Sequence, residues 1–234
     1  MTVSSSPRRP APAVPAQPSL RLLHEHILGC RSCCREGLLA ACAPVLCAPS
    51  ASRMMLVGQA PGRLEVTTRR PFSGRAGREL FRWLKAAGLG TEEEARAAVY
   101  LTSITKCFPG AASSGSGDRR PSSREIELCR PHLEAQLSLL APWLVIAVGQ
   151  LAISRFLGRR SMDEVVGRVY LRTGSEHLVG APVPADALPL LLPLPHPSGA
   201  SRWLNQPQHR DQLARALAQL GRLREAPPGL SAPI

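Results

Sequence analysis

Three things are scarce in this sequence. Aromatic residues are 4% of its 234 residues, so each ring needs a reason to be there. Lysine is almost missing, with Lys85 and Lys106 the whole complement. Carboxylates are short as well: 17 Asp plus Glu face 29 Lys plus Arg, for a formal net charge of +12. Long apolar runs are also missing. The longest, at residues 139–149, is interrupted by Pro142 and falls well below the roughly 20 residues of a membrane-spanning helix. The opening stretch MTVSSSPRRPAPAVPAQP follows its basic pair with prolines, where a secretory signal carries an apolar core. These absences predict a soluble cytoplasmic chain with no membrane partner.

Hydrophobic residues make up 44% of the sequence, enough for a packed core. The length suits one domain, expected at residues 20–224, between Pro-rich tails at 1–19 and 225–234. Codon bias in a GC-rich genome can turn Lys into Arg. It does not remove carboxylates, so the surplus of positive charge points to a polyanionic partner, nucleic acid before acidic membrane.

Short apolar runs at 53–57 (RMMLV), 99–104 (VYLTSI), 143–148 (WLVIAV) and 188–194 read as buried strands. Helical patterns surround them at 20–30, 79–87, 122–140, 150–157 and 206–223, and Ser122 with Glu125 forms a capping box. The segment 58–77 (GQAPGRLEVTTRRPFSGRAG) reads as a long loop, and 110–121 as a Gly/Ser-rich insert. Strands alternating with helices predict an α/β protein with a parallel sheet covered on both faces. Ligands of such sheets sit beyond the carboxyl ends of the strands. Three strands end there in distinctive segments, at 59–62, 103–107 and 196–201.

The seven cysteines do not suggest a disulfide framework in a chain of this kind. Cys30 and Cys33 form a C-x-x-C, and Cys107 and Cys129 lie far along the chain, a spacing that fits an iron–sulfur cluster or a zinc ion. Cys34 should point away from that site, and Cys42 and Cys47 read as core thiols. His196 opens a turn after the last strand and can donate a hydrogen bond to a leaving anion. His24, His26 and His132 read as packing or surface residues. Arg63, Arg69, Arg70, Arg75 and Arg78 gather around Phe72, a pattern that suits phosphates and a stacked base.

Together these segments resemble the uracil-DNA glycosylase superfamily, most closely its iron–sulfur family-4 and family-5 branch. The motifs are Gly58-Gln59-Ala60-Pro61-Gly62, then Arg70-Pro71-Phe72-Ser73-Gly74-Arg75-Ala76-Gly77, then LTSITKC, and finally His196-Pro197-Ser198. The resemblance implies a three-layer α/β/α sandwich around a four-stranded parallel sheet. It implies hydrolysis of the N-glycosidic bond of uracil in single- or double-stranded DNA, by a monomeric base-excision-repair enzyme of the bacterial nucleoid. His196 and Gln59 would take the catalytic positions, and Gly58, Ala60, Pro61, Gly62, Phe72 and Ser103 would contact the base. Arg75, Ser198 and Ser201 would hold the DNA backbone, with Arg202 or Trp203 as the wedge filling the vacated duplex. Cys30, Cys33, Cys107 and Cys129 would hold a [4Fe–4S] cluster, with zinc the alternative.

Two positions depart from the pattern: Gln59 stands where that branch usually has Glu, and Ser103 where many relatives have Asn. The first removes a general base. The second extends the expected substrates to other deaminated bases. A catalytically weak nucleic-acid-binding relative with a structural cluster is the rival reading.

Overall fold

The computed structural model describes residues 18–50, 52–113, 117–198 and 202–224; both predicted tails lie largely outside them. In chain order the elements are α1 (Pro18–Leu28), α2 (Ser32–Arg35), β1 (Met54–Gly58), α3 (Arg63–Thr68), α4 (Arg75–Ala86), α5 (Glu92–Ala98) and β2 (Tyr100–Ser103). There follow α6 (Ser123–Leu140), β3 (Leu144–Val148), α7 (Gln150–Leu157), α8 (Met162–Val165), β4 (Val169–Tyr170), β5 (Glu176–His177), β6 (Leu190–Leu194) and α9 (Pro207–Leu223). Among the described residues no helix is long and apolar enough to cross a membrane.

The sheet order is β2-β1-β3-β6-β4-β5. The first four strands pair in parallel, as the apolar runs predicted. Two short antiparallel strands, β4 and β5, widen one edge beyond the expected four. Side chains alternate across the parallel strands. Met54 and Leu56, Leu144 and Ile146, and Leu190 and Leu192 enter one apolar cluster with Leu80 and Leu84 of α4 and Leu220 of α9. Met55, Val57, Val145 and Leu191 enter the opposite cluster with Leu133 of α6 and Ile153 of α7. The result is three layers.

Two features of the loops differ from the sequence reading. The stretch 58–77 is not all loop, because α3 forms directly after Gly62. The helix α5 was not visible as an apolar stripe, having one buried residue, Ala95; a capping box of Thr91 and Glu94 defines its start instead. The capping box at Ser122 and Glu125 is present as predicted and opens α6.

One polar chain crosses the interior on the α1/α6 side. Lys106 Nζ donates to Thr102 Oγ1 at 2.8 Å and to the Ser103 carbonyl at 2.5 Å. Thr102 donates to Gln136 Oε1 at 3.0 Å, and Gln136 Nε2 donates to the Tyr100 hydroxyl at 2.7 Å. The hydroxyl then has its proton free for His24 Nε2, 2.6 Å away. The donors all run one way and end on a neutral imidazole. His24, read from the sequence as a surface or packing residue, is therefore a buried acceptor. Burial, with the Lys106 charge behind it, lowers its pKa from the ordinary 6.5 to about 4.

An unfolded chain takes up this proton below pH 6.5, whereas the folded protein resists until about pH 4. Stability contributed by the neutral ring is therefore complete above pH 6.5 and is lost as pH falls towards 4. Replacing His24 by Gln should flatten that part of the unfolding free energy against pH, measured by urea denaturation at a series of pH values.

Candidate active site

The parallel register brings the predicted segments to one edge. Gly58 at the end of β1 pairs with Ser103 at the end of β2. Beyond them the Ile104 amide donates to the Gly58 carbonyl at 2.9 Å, and the Thr105 amide to the Gln59 carbonyl at 3.2 Å. On the other side the Gly149 amide, just past β3, donates to the Leu194 carbonyl at the end of β6 at 2.9 Å.

Each of these glycines carries a ring. A Cβ on Gly58 would lie 2.8 Å from Cζ of Phe72, so that ring rests directly on the strand end. A Cβ on Gly149, at φ +83°, would lie 3.2 Å from Cδ2 of His196. Phe72 itself has φ +55°, a left-handed conformation costly for a bulky residue. Its surroundings hold it there. A Cβ on Gly77 would lie 1.8 Å from the Phe72 carbonyl oxygen, so α4 can start only with glycine at that point. Arg96 donates to the Pro71 carbonyl at 2.9 Å and to the Phe72 carbonyl at 3.2 Å. Its guanidinium lies 4.3 Å over the Phe81 ring and pairs with Glu92 at 2.8 Å. The backbone amides of Phe72 and Gly62 face the Glu65 carboxyl, whose pKa burial nevertheless raises to about 7.

His196 has a defined protonation. The Ser198 amide donates to its Nδ1 at 3.2 Å, and the Ser198 hydroxyl lies 2.8 Å from the same nitrogen. A backbone N–H can only donate, so Nδ1 is the lone-pair nitrogen and the proton sits on Nε2. Burial lowers the pKa below the ordinary 6.5 and reinforces the neutral ring. A neutral imidazole with Nε2–H suits an anion that develops during a reaction.

The four predicted cysteines also come together. Cys30, Cys33, Cys107 and Cys129 line one narrow cavity with Thr105, His132 and Glu125. Burial, then the neighbouring sulfurs Cys129, Cys33 and Cys30, push the Cys107 thiol up to about 12. Burial with Cys129 ahead of its other neighbours raises Cys33 to about 11. The Lys106 amide donates to Cys129 Sγ at 3.2 Å. Thr105 Oγ1 is buried there without a hydrogen-bond partner. Among the described residues, no three His, Cys, Asp or Glu side chains are arranged to hold a single metal ion. Cys34 and Cys42, taken from the sequence as separate thiols, are joined in a disulfide with Cα atoms 5.9 Å apart. Cys47 packs against both apolar clusters, as a core thiol should.

The remaining site candidates fall around this edge. Gln59 and Ala60 are half-buried, Pro61 is buried, and Gly62 caps α3. Arg75 is exposed on the first turn of α4, which has no side-chain cap. The insert pairs Ala111 with Asp118 and lays the Asp118 carboxylate against Gly62, 3.1 Å from where a Cβ would stand. Trp203 is pinned: it stacks on His209 with ring centroids 4.1 Å apart, and its indole donates to Asp163. Ser201 and the Arg202 side chain lie outside the described residues. Sequence reasoning missed Arg96 and Glu65. Glu65 could have been noticed as the lone carboxylate in a basic run, whereas Arg96 gave no local signal.

The Uracil DNA glycosylase superfamily matches residues 44–219. A Type-4 uracil-DNA glycosylase of Pyrobaculum aerophilum is 34% identical over 122 residues, 50% of this chain and 57% of its own length. Those of Sulfurisphaera tokodaii and Thermotoga maritima are 31% identical over 132 residues and 34% over 112. These cover 56% and 48% of this chain, and 55% and 53% of the relatives. The chain thus spans about half the length of the curated relatives it matches. With rings seated on glycines at adjacent strand ends and a match across most of its folded part, the chain belongs to the uracil DNA glycosylase superfamily.

Proposed function

We propose that this protein is a monofunctional DNA glycosylase that hydrolyses the N-glycosidic bond of uracil in DNA and leaves an abasic site. The observation that carries the reading is the neutral His196, with its Nε2 proton available and its ring at the strand end next to the one that carries the ring of Phe72. A base inside a duplex must leave the stack to be reached. Arg75 at the uncapped start of α4, Ser198 and Ser201 hold the phosphates around it. Phe72 stacks on the extruded ring, and the backbone of Gly58, Ala60, Pro61 and Gly62 contacts its edge. Trp203 is committed to His209 and Asp163, so Arg202 is the better wedge of the two.

The bond between C1′ and the base breaks with its electron pair leaving on the base. His196 Nε2–H donates to the base oxygen on which that charge collects. Gln59 can orient a water but, as an amide, cannot take its proton. The water oxygen bonds to C1′, and its proton passes to solvent or to the departing base. No lysine is placed to form an imine with the sugar: Lys85 is exposed on α4, and Lys106 is buried in the polar chain. Product is therefore the intact abasic strand.

In this reading Cys30, Cys33, Cys107 and Cys129 would hold a [4Fe–4S] cluster, which would supply a structural cross-link between the residues at the start of α2, the loop after β2 and α6. The Lys106 amide already donates to the Cys129 sulfur, and the unpartnered Thr105 hydroxyl lies in the same cavity.

His196→Ala should lower single-turnover uracil release by roughly 10²- to 10³-fold, as for other lost oxyanion donors, with DNA affinity unchanged. Equal loss of binding would contradict its role, and binding without release by the unaltered protein would favour the binding module. Because its pKa is lowered, release should stay level as pH rises through 6.5 and fall only on the acid side, below that value. Anaerobically purified protein should be brown with about four iron atoms per chain, and Cys129→Ala should lose both colour and iron. A colourless protein carrying one zinc would refute the cluster.

A further inference from the structure

The amino ends of the parallel strands form a second edge, opposite the candidate active site. The Trp143 amide donates to the Arg53 carbonyl at 2.9 Å, and the Leu190 amide to the Trp143 carbonyl at 2.8 Å, so β1, β3 and β6 start level. Against this edge, between the ends of α6 and α7, lies a cavity of about 580 Å³. Its floor is apolar, with Leu137 of α6, Phe156 of α7 and Leu191 of β6, all part of the core on that face. Arg53, Arg155 and Arg172 complete the lining, and no carboxylate belongs to it.

Two of these arginines are held without being neutralised. Arg53 Nε donates to the Ala141 carbonyl at the end of α6 at 3.0 Å, and both its Nη groups lack a partner among the described residues. Arg172 donates from Nε and Nη2 to the Asp186 carbonyl, at 3.2 and 2.9 Å, and keeps its Nη1 free among the described residues. A carbonyl orients a guanidinium but leaves its charge uncancelled, unlike the carboxylates that pair with Arg119 and Arg124. Arg155 is shared: it lies 3.4 Å from Glu134, and its guanidinium stands 5.7 Å from the centre of the Phe156 ring.

We propose that this cavity docks an acidic peptide segment of a partner protein, one that carries a bulky apolar side chain among its carboxylates. An oriented guanidinium with free N–H groups takes a carboxylate through charge-assisted hydrogen bonds. The apolar floor takes the bulky side chain, which excludes water from the charged contacts beside it. The volume lies within the roughly 300–1,000 Å³ of pockets that bury a ligand. A nucleic-acid strand fits less well. Its phosphates have no use for the apolar floor, and Arg155 already lies over the one ring in the lining on which a base could stack. A partner docked at the amino ends of the strands leaves the carboxyl ends open, so on the glycosylase reading it can hold the protein while DNA is bound.

The probe is a short fluorescein-labelled peptide of glutamates around a central phenylalanine, its binding to the full chain followed by anisotropy. Two variants at exposed positions test the cavity: Arg172→Glu reverses a charge, and Ser138→Trp on α6 fills the space. Each should weaken peptide binding at least about tenfold, the loss of one anchoring contact. Peptides with alanine for the phenylalanine, or glutamines for the glutamates, should bind more weakly by a similar factor. A uracil-containing single-stranded oligonucleotide should not displace the peptide. Displacement would overturn the proposal, because it would place the peptide in the basic groove near Phe72. Unchanged binding to either variant, equal binding of the alanine peptide, or no binding to the unaltered chain would overturn it as well. Failure of the glycosylase reading looks different: no base is released, whatever the anisotropy shows.

Discussion

Everything at the candidate site depends on two rings pressed against two glycines at the carboxyl ends of adjacent strands. Any side chain at Gly58 would push Phe72 off β1, and any at Gly149 would strain a left-handed turn and meet His196. Parallel pairing in register sets the strand ends level, and ladder hydrogen bonds continue one step past them on both sides. The rings therefore inherit their positions from the most buried part of the molecule. Phe72 needs further restraint because its backbone is left-handed, and Arg96 and Gly77 provide it from α5 and α4.

The segment after β2 joins the two halves of the site. Within five residues it carries Ser103 to the strand end beside Gly58, Thr105 and Cys107 into the thiol cavity, and Lys106 into the buried polar chain. A change on the cysteine side is therefore felt at the strand end through covalent geometry, with no long pathway. The bidentate pair of Arg119 with Glu125, at 2.8 and 2.6 Å, fastens the insert to the start of α6. That contact sets Asp118 beside Gly62 and makes the insert part of the rim.

The sequence revealed the frame because its strands are buried on both faces and read as unbroken apolar runs with glycine or polar residues at their ends. The four parallel strands, the capping box at Ser122 and the convergence of Gly58, Ser103 and His196 were all legible for that reason. Short or polar elements were not. The strands β4 and β5 have two residues each, too few for any periodicity, and α5 is almost wholly solvated. The Cys34–Cys42 bond also escaped, since adjacency to Cys33 says nothing about where a sulfur eight residues on will lie. Nor can spacing show that the Ser103 proton is spent on Thr105 or that Trp203 is held by His209; both follow only from tertiary geometry.

The central claim is that an extruded base lies between the ring of Phe72 and the Nε2 proton of His196. It is tested most directly by a crystal structure of the protein with an oligonucleotide carrying 2′-fluoro-2′-deoxyuridine, whose glycosidic bond resists cleavage. The account predicts uracil stacked on Phe72 with one of its carbonyl oxygens within hydrogen-bond distance of His196 Nε2. A uracil left in the helix, or bound away from the ends of β1 and β3, would contradict it.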